Sequence, residues 1–115
     1  MNKRITVFTP AYNRADLLPK LYESLLRQNS REFVWLVIDD GSVDNTRVVV
    51  EAWIREGKID IQYVWKENGG LHTGYNKAID CMDTELSICI DSDDYLTDDC
   101  IETVLRFWDE HKAED

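Results

Sequence analysis

The six residues Phe33-Val34-Trp35-Leu36-Val37-Ile38 are apolar without interruption and stop at Asp39-Asp40-Gly41-Ser42. A strand with one wet face alternates apolar and polar side chains. An unbroken apolar run of this length therefore marks a strand covered on both faces, the usual state of a strand inside a parallel sheet. Strand-like and helix-like segments alternate around it. Ile5-Thr6-Val7-Phe8 reads as a first strand ended by Pro10. A helix is expected from about Asp16 to Gln28, with Asp16 as N-cap, Pro19 in the first turn, and Leu18, Leu21, Leu25 and Leu26 on the apolar face. A second helix is expected from about Asn45 to Glu56, capped by Asp44, with Val48, Val49, Ala52 and Trp53 inward and Gly57 as its stop.

Ile59, Ile61, Tyr63 and Trp65 alternate with Asp60, Gln62 and Val64, which predicts a third strand near an edge. Gly69-Gly70 mark a loop, and a third helix is expected over about His72 to Cys81. Leu86-Ser87-Ile88-Cys89-Ile90 reads as a buried fourth strand, with Cys89 a small core residue. A fourth helix follows from Thr97, with Ile101, Val104, Leu105 and Trp108 facing the core. The four tryptophans all fall on strands or helix faces and are assigned to core or covered edges. The order βαβαβαβα predicts an α/β fold, a Rossmann-like open parallel sheet with helices on both faces and right-handed crossovers. The expected strand order is 3-2-1-4. No repeat, low-complexity segment or linker divides residues 1–115, which read as one domain or part of a larger one.

The formal net charge of −10 opposes non-specific binding to nucleic acid or anionic membrane. A small anionic ligand is compatible with that field only where a metal or local basic groups offset it. Met1-Asn2-Lys3-Arg4 leads straight into the first strand without the apolar segment of a signal peptide, so a cytoplasmic chain is expected. Cys81, Cys89 and Cys100 have neither zinc-site spacing nor an even count.

In an open parallel sheet, ligands bind at the carboxyl ends of the strands, where the strand order reverses. Those ends are polar here: Thr9-Pro10-Ala11-Tyr12-Asn13, then Asp39-Asp40-Gly41-Ser42, then Lys66-Glu67-Asn68-Gly69-Gly70, then Asp91-Ser92-Asp93-Asp94. Three carboxylates within four residues repel one another, and their hard oxygen atoms suit Mg²⁺ or Mn²⁺. The competing reading is an acidic helix-capping loop. By chemical type, Tyr12 suits stacking on a base, Asp40 accepts from a pyrimidine ring N–H, Asp91 reaches ribose hydroxyls, and Asp93 ligates a metal bridging a diphosphate. His72, Asn76 and Lys77 are weaker candidates beside a phosphate or merely facing water. The dinucleotide fingerprint, the P-loop and the nucleophile elbow are all absent.

Pro10-Ala11-Tyr12-Asn13, Asp39-Asp40-Gly41-Ser42 with Asp44 and Thr46, Asn68-Gly69-Gly70 with Asn76, and Asp91-Ser92-Asp93-Asp94 stand in order along nearly the whole chain. Together they resemble the inverting glycosyltransferases of family 2, which have the GT-A fold. The resemblance implies transfer of a sugar from a nucleotide diphosphate, usually a UDP-sugar, to an acceptor hydroxyl. It implies Mn²⁺ or Mg²⁺ held through the D-x-D element Asp91-Ser92-Asp93, with Asp94 as a further candidate. It assigns Pro10, Tyr12 and Asp40 to the base and Asp91 to the ribose side, with Ala11, Asn13 and Ser92 also on the donor nucleotide, and Asn68 and Asn76 to the ribose or diphosphate. The acceptor would be a carbohydrate, a lipid-linked sugar or a protein, with cell-surface polysaccharide synthesis at the inner membrane face as the usual setting. In that family the catalytic base and a Q-x-x-R-W-type element follow the fourth helix, so residues 1–115 correspond to the donor-binding half and are expected to be inactive alone. The alternative is a non-catalytic nucleotide-binding or assembly module, for which homo-oligomerisation through uncovered faces is expected.

Overall fold

The computed structural model describes residues 3–67 and 84–111. Strand β1 (Ile5–Ala11), helix α1 (Leu18–Leu26), strand β2 (Phe33–Asp39), helix α2 (Thr46–Glu56), strand β3 (Ile61–Trp65), strand β4 (Leu86–Cys89) and helix α3 (Cys100–His111) follow one another. The sheet order is β3-β2-β1-β4 and every strand pair is parallel, as the alternating segments predict. The expected helix over 72–81, Gly69-Gly70 and Cys81 lie outside the described residues.

All seven residues of β2 are buried, which accounts for its unbroken apolar sequence. Its two faces feed different clusters. Phe33, Trp35 and Val37 join Ile5 and Val7 of β1, Leu18, Leu21 and Leu25 of α1, Val50 of α2, and Ile101 and Leu105 of α3. Leu36 and Ile38 join Phe8 on the opposite face, with Val64 packed against them. The three described helices thus share one face of the sheet. Trp35 is the anchor there. Tyr22 and Trp53 stack on each other with ring centroids 4.1 Å apart, and Trp35 lies 6.1 Å and 5.9 Å from them. The buried Trp35 indole N–H donates to Thr9 Oγ1 at 2.9 Å, so burial leaves no polar atom unpaired.

Several local expectations are corrected. β1 continues through Pro10 to Ala11. Ile90 N–H donates to the Phe8 carbonyl and Asp40 N–H to the Ala11 carbonyl, so even residues of β1 face β4 and odd ones face β2. The nitrogen of Pro10 therefore points past the end of β4, where no ladder donor is needed. Helix α1 starts at Leu18 with Leu17 at the cap position and no side-chain cap, so Asp16 does not cap it. In α2, Val50 is fully buried while Val48 is exposed. The expected inward pair Val48 and Val49 is thus shifted along the helix: Val49 is half-buried, and contact with the sheet selects Val50. Gly57 ends this helix with φ +66°, in the left-handed conformation that glycine adopts without strain.

Helix α3 begins at Cys100 rather than near Thr97. Asp99 stands at its cap position, and its carbonyl accepts the Thr103 N–H at 2.8 Å. β4 is an edge strand among the described residues, alternately half-buried and exposed, and Cys89 is exposed rather than in the core. An edge strand is covered less than a central one, a difference that composition does not encode. Trp65 is likewise exposed on edge strand β3. No helix among the described residues is long and apolar enough to cross a membrane.

Candidate functional site

The strand order reverses between β1 and β4: the chain steps from β1 to β2 to β3 on one side and returns to β4 on the other. That is the topological switch point at which open α/β sheets bind ligands. The Phe8–Cys89 pairing aligns the carboxyl ends of the two strands, and the Ala11–Asp39 and Asp39–Trp65 pairings extend that alignment across the sheet. The loops carrying Tyr12, Asp40, Lys66 and Asp91 therefore leave the sheet on the same edge.

On β4's side, Asp91, Asp93 and Asp94 are exposed, and one oxygen from each carboxylate lies within 4.8 Å of the others. The Asp94 N–H donates to the Asp91 carbonyl at 3.0 Å, folding the segment into a turn that gathers the three acids. Ser92 is buried between them and is not presented to solvent. Three oxygen donors so close together fit a hard divalent cation such as Mg²⁺ or Mn²⁺. The segment that follows is tied down by Ser24 of α1 and by Gln28 just beyond that helix, two side chains that the sequence pattern does not single out. Ser24 Oγ accepts the Leu96 N–H at 3.1 Å, and Gln28, 5 % exposed, donates to the Thr97 carbonyl at 2.6 Å and accepts the Ile101 N–H at 3.0 Å.

On β1's side, Tyr12, the first residue after the strand, is 44 % exposed. Asn13 has φ 53°, a left-handed conformation that asparagine tolerates better than other non-glycine residues. Its Oδ1 accepts the N–H groups of Val43 and Asp44 at 2.9 and 3.2 Å, and its own N–H donates to Ser42 Oγ at 2.7 Å. Asn13 thus clips the β1 loop to the β2 loop. Asp44 completes the clip by accepting from the N–H of Thr46 at 2.9 Å and of Ala15 at 3.4 Å. Burial opposes its ionisation, yet the hydrogen bonds from Thr46 and Ala15 hold its carboxyl below the usual range.

The two acids at the carboxyl end of β2 have different duties. Asp39 is fully buried; its Oδ1 accepts the Ser42 N–H at 2.8 Å, and its Oδ2 accepts the Tyr63 hydroxyl. Burial pushes the Tyr63 phenol well above its ordinary value, and the hydrogen bond and charge of Asp39 push it further. Asp40, the first residue after β2, has the opposite parity and pairs with Lys66, the first residue after β3; both side chains are largely buried, at 17 % and 16 % exposure. Neither Tyr63 nor Lys66 is singled out for a site role by sequence pattern. A period-two count from Trp35 and Val37 puts Asp39 on the core side and Asp40 opposite, and that signal would have found the division. Asn68, His72, Asn76 and Lys77 lie outside the described residues.

An open parallel sheet with polar loops gathered at the carboxyl ends of its strands, and three carboxylates at the reversal of strand order, defines an α/β domain of the doubly wound class. The family model for glycosyl transferase family 2 matches residues 6–115, and the chain belongs to that family. Glycosyltransferase GlyA of Streptococcus pneumoniae serotype 4 is 29% identical over 114 residues, covering 99% of this chain and 16% of that protein. The poly(ribitol-phosphate) beta-N-acetylglucosaminyltransferase TarS of Staphylococcus aureus is 28% identical over 113 residues, covering 96% of this chain and 20% of its own length. Among solved structures, TarS 1-349 in complex with UDP-GlcNAc superposes with a TM-score of 0.88 at 30% identity over 95% of this chain and 32% of that one. A mannosyltransferase from Pyrobaculum calidifontis, in complex with GDP-Man and Mn²⁺, gives 0.75 at 25% identity over 83% of this chain and 29% of that one. The expected GT-A fold is thereby borne out. The chain spans a fifth or less of those two curated relatives.

Proposed function

We propose that the protein containing this chain is a metal-dependent, inverting glycosyltransferase, and that residues 1–115 form its donor-binding half. The observation that carries this reading is the gathering of Asp91, Asp93 and Asp94 at the carboxyl end of β4, beside β1 at the reversal of strand order. The solved relatives with UDP-GlcNAc and with GDP-Man and Mn²⁺ support a nucleotide-sugar donor. We favour a UDP-sugar, since the complexed relative of higher identity holds one.

In this reading Asp91 and Asp93, with Asp94 beside them, hold Mn²⁺ or Mg²⁺. Such an ion, when bound, neutralises the charge on the departing diphosphate. Tyr12, Pro10 and Ala11 line the base, and Asp40 accepts from its ring N–H. Asp91 also faces the ribose, and Asn68 and Asn76 are proposed near the ribose or diphosphate. Asn13 and Ser92 act by shaping the loops, consistent with their hydrogen bonds and burial. Direct displacement with inversion also needs a base for the acceptor hydroxyl. We assign that base to a part of the protein beyond residues 1–115, since curated relatives are several times longer. One relative named for a poly(ribitol-phosphate) and another named for minor teichoic acid biosynthesis favour a cell-surface polymer as acceptor.

Calorimetry with UDP, with and without Mn²⁺, tests the reading. Measurable binding that tightens at least about tenfold with the ion is expected, because the ion offsets the repulsion between acidic cluster and diphosphate. Asp93→Ala should abolish the gain from Mn²⁺ while leaving the thermal midpoint nearly unchanged, since the side chain is exposed. Absence of binding in both conditions would overturn the proposal.

A further inference from the structure

Lys66 is a largely buried cation at the carboxyl end of edge strand β3, in a chain with a net charge of −10. Its N–H is placed by a bond to the Asp39 carbonyl at 2.9 Å, which fixes the backbone from which the side chain reaches back to Asp40. The ammonium donates to Asp40 Oδ1 and to the Glu67 carbonyl, the latter at 2.7 Å. An ammonium has three donors, so among the described residues one remains beyond these two bonds. The Asp40 backbone is in turn bonded to the Ala11 carbonyl at 2.8 Å, immediately before Tyr12. A fixed acceptor and a fixed donor therefore stand side by side at the carboxyl end of the sheet, next to the loop that carries an exposed aromatic ring.

We propose that Lys66 is a specificity-determining residue: with Asp40 it reads the edge of the donor's pyrimidine, Asp40 accepting from N3–H and Lys66 donating to the carbonyl oxygen at position 4. This inference rests on the nucleotide-sugar reading given above. Uracil presents a donor beside an acceptor at those two positions and matches the pair. Cytosine presents a bare ring nitrogen to the carboxylate and an amino group to the ammonium, two unfavourable juxtapositions on a partly buried edge. A site built to hydrogen-bond one pattern of groups rejects the reversed pattern strongly, because its own polar groups are then left unpaired. The same ammonium also lets Asp40 remain a charged acceptor away from bulk water, so its role is to pair and to read at once.

Calorimetry in Mn²⁺ with UDP, CDP and 4-thio-UDP separates this inference from the function it rests on. The unaltered protein should prefer UDP over CDP by about a hundredfold. It should bind 4-thio-UDP about tenfold more weakly than UDP, since sulfur is a poor acceptor from an ammonium. Lys66→Gln should lower UDP affinity about tenfold and collapse the UDP-to-CDP ratio, whereas Lys66→Arg should retain much of the ratio. A purely structural ion pair would change affinity for both nucleotides alike and leave the ratio intact. UDP binding with equal affinity for 4-thio-UDP, or a UDP-to-CDP ratio unchanged in Lys66→Gln, would overturn the role of Lys66 while leaving the transferase reading standing. No binding of any of the three nucleotides would remove the functional reading itself. The 4-thio-UDP comparison uses the unaltered protein, so it decides the matter even if Lys66→Gln does not fold.

Discussion

Asp39 and Asp40 are adjacent in sequence and chemically identical, yet one is fully buried and bonded to Ser42 and Tyr63 while the other pairs with Lys66. A buried Asp39 is bearable only because Ser42 N–H and the Tyr63 hydroxyl both donate to it. Tyr63→Phe removes one donor and leaves a buried carboxylate oxygen without it, which should cost about 1–3 kcal/mol in urea unfolding at neutral pH. The pH dependence gives a second readout. The folded-state pKa of Tyr63 is raised above its ordinary value of 10.0, so its contribution to stability is complete below that pH and is lost as pH rises beyond it. The unaltered protein should therefore lose stability with rising pH above 10.0, and Tyr63→Phe should show a shallower loss. Equal slopes in the two proteins would contradict the Asp39–Tyr63 assignment.

At the scale of elements, helix and strand identities follow from periodicity, whereas their ends and inward faces follow from contacts. The valine run of α2 and the shifted start of α3 both show this. A helix end can be legible when one residue type alone suits it, and Gly57 is the case in point. Its φ of +66° favours glycine, and a Cβ added there would meet nothing within 4 Å. Gly57→Ala should accordingly cost about 1 kcal/mol through backbone conformation alone. UDP affinity should not change, because Gly57 leads into the opposite end of β3 from Lys66. A loss several times larger in thermal unfolding would mean that hidden packing, rather than conformation, holds the turn. The loop clip made by Asn13 was less legible. Asparagine in a polar strand-end loop reads equally well as a ligand contact or as a turn residue, and only its hydrogen bonds to Val43 and Asp44 separate the two.

The whole molecule is an acidic body with its proposed anion site at the end where acids cluster. Its net charge of −10 repels a diphosphate before any contact is made. Without a divalent ion, raising monovalent salt should therefore strengthen UDP binding modestly, through screening of that repulsion. With Mn²⁺ present the trend should weaken or reverse, because salt then screens an attraction as well. A titration series from low to physiological ionic strength distinguishes the two regimes. Salt-independent binding in both would show that the global field does not reach the site.

Residue order alone determined the α/β class and the parallel sheet, while the pairing of strands into the order 3-2-1-4 was an expectation that the tertiary structure bears out. An unbroken apolar strand, alternating periods and polar strand ends are local signals that need no partner to be read. The grouping of Tyr12, Asp40 and the Asp91 to Asp94 cluster at one end of the sheet follows from the same order, since parallel strands send their carboxyl ends the same way. Tertiary structure decided what depends on which side chains meet. It made Asp39 a structural acid and Asp40 a partner of Lys66, turned Asn13 into a clip, exposed Cys89 on an edge, and fastened the segment after the acidic cluster to Ser24 and Gln28. Each of these turns on strand register and helix docking. Those bring together residues tens of positions apart, and nothing within either segment records the other's place.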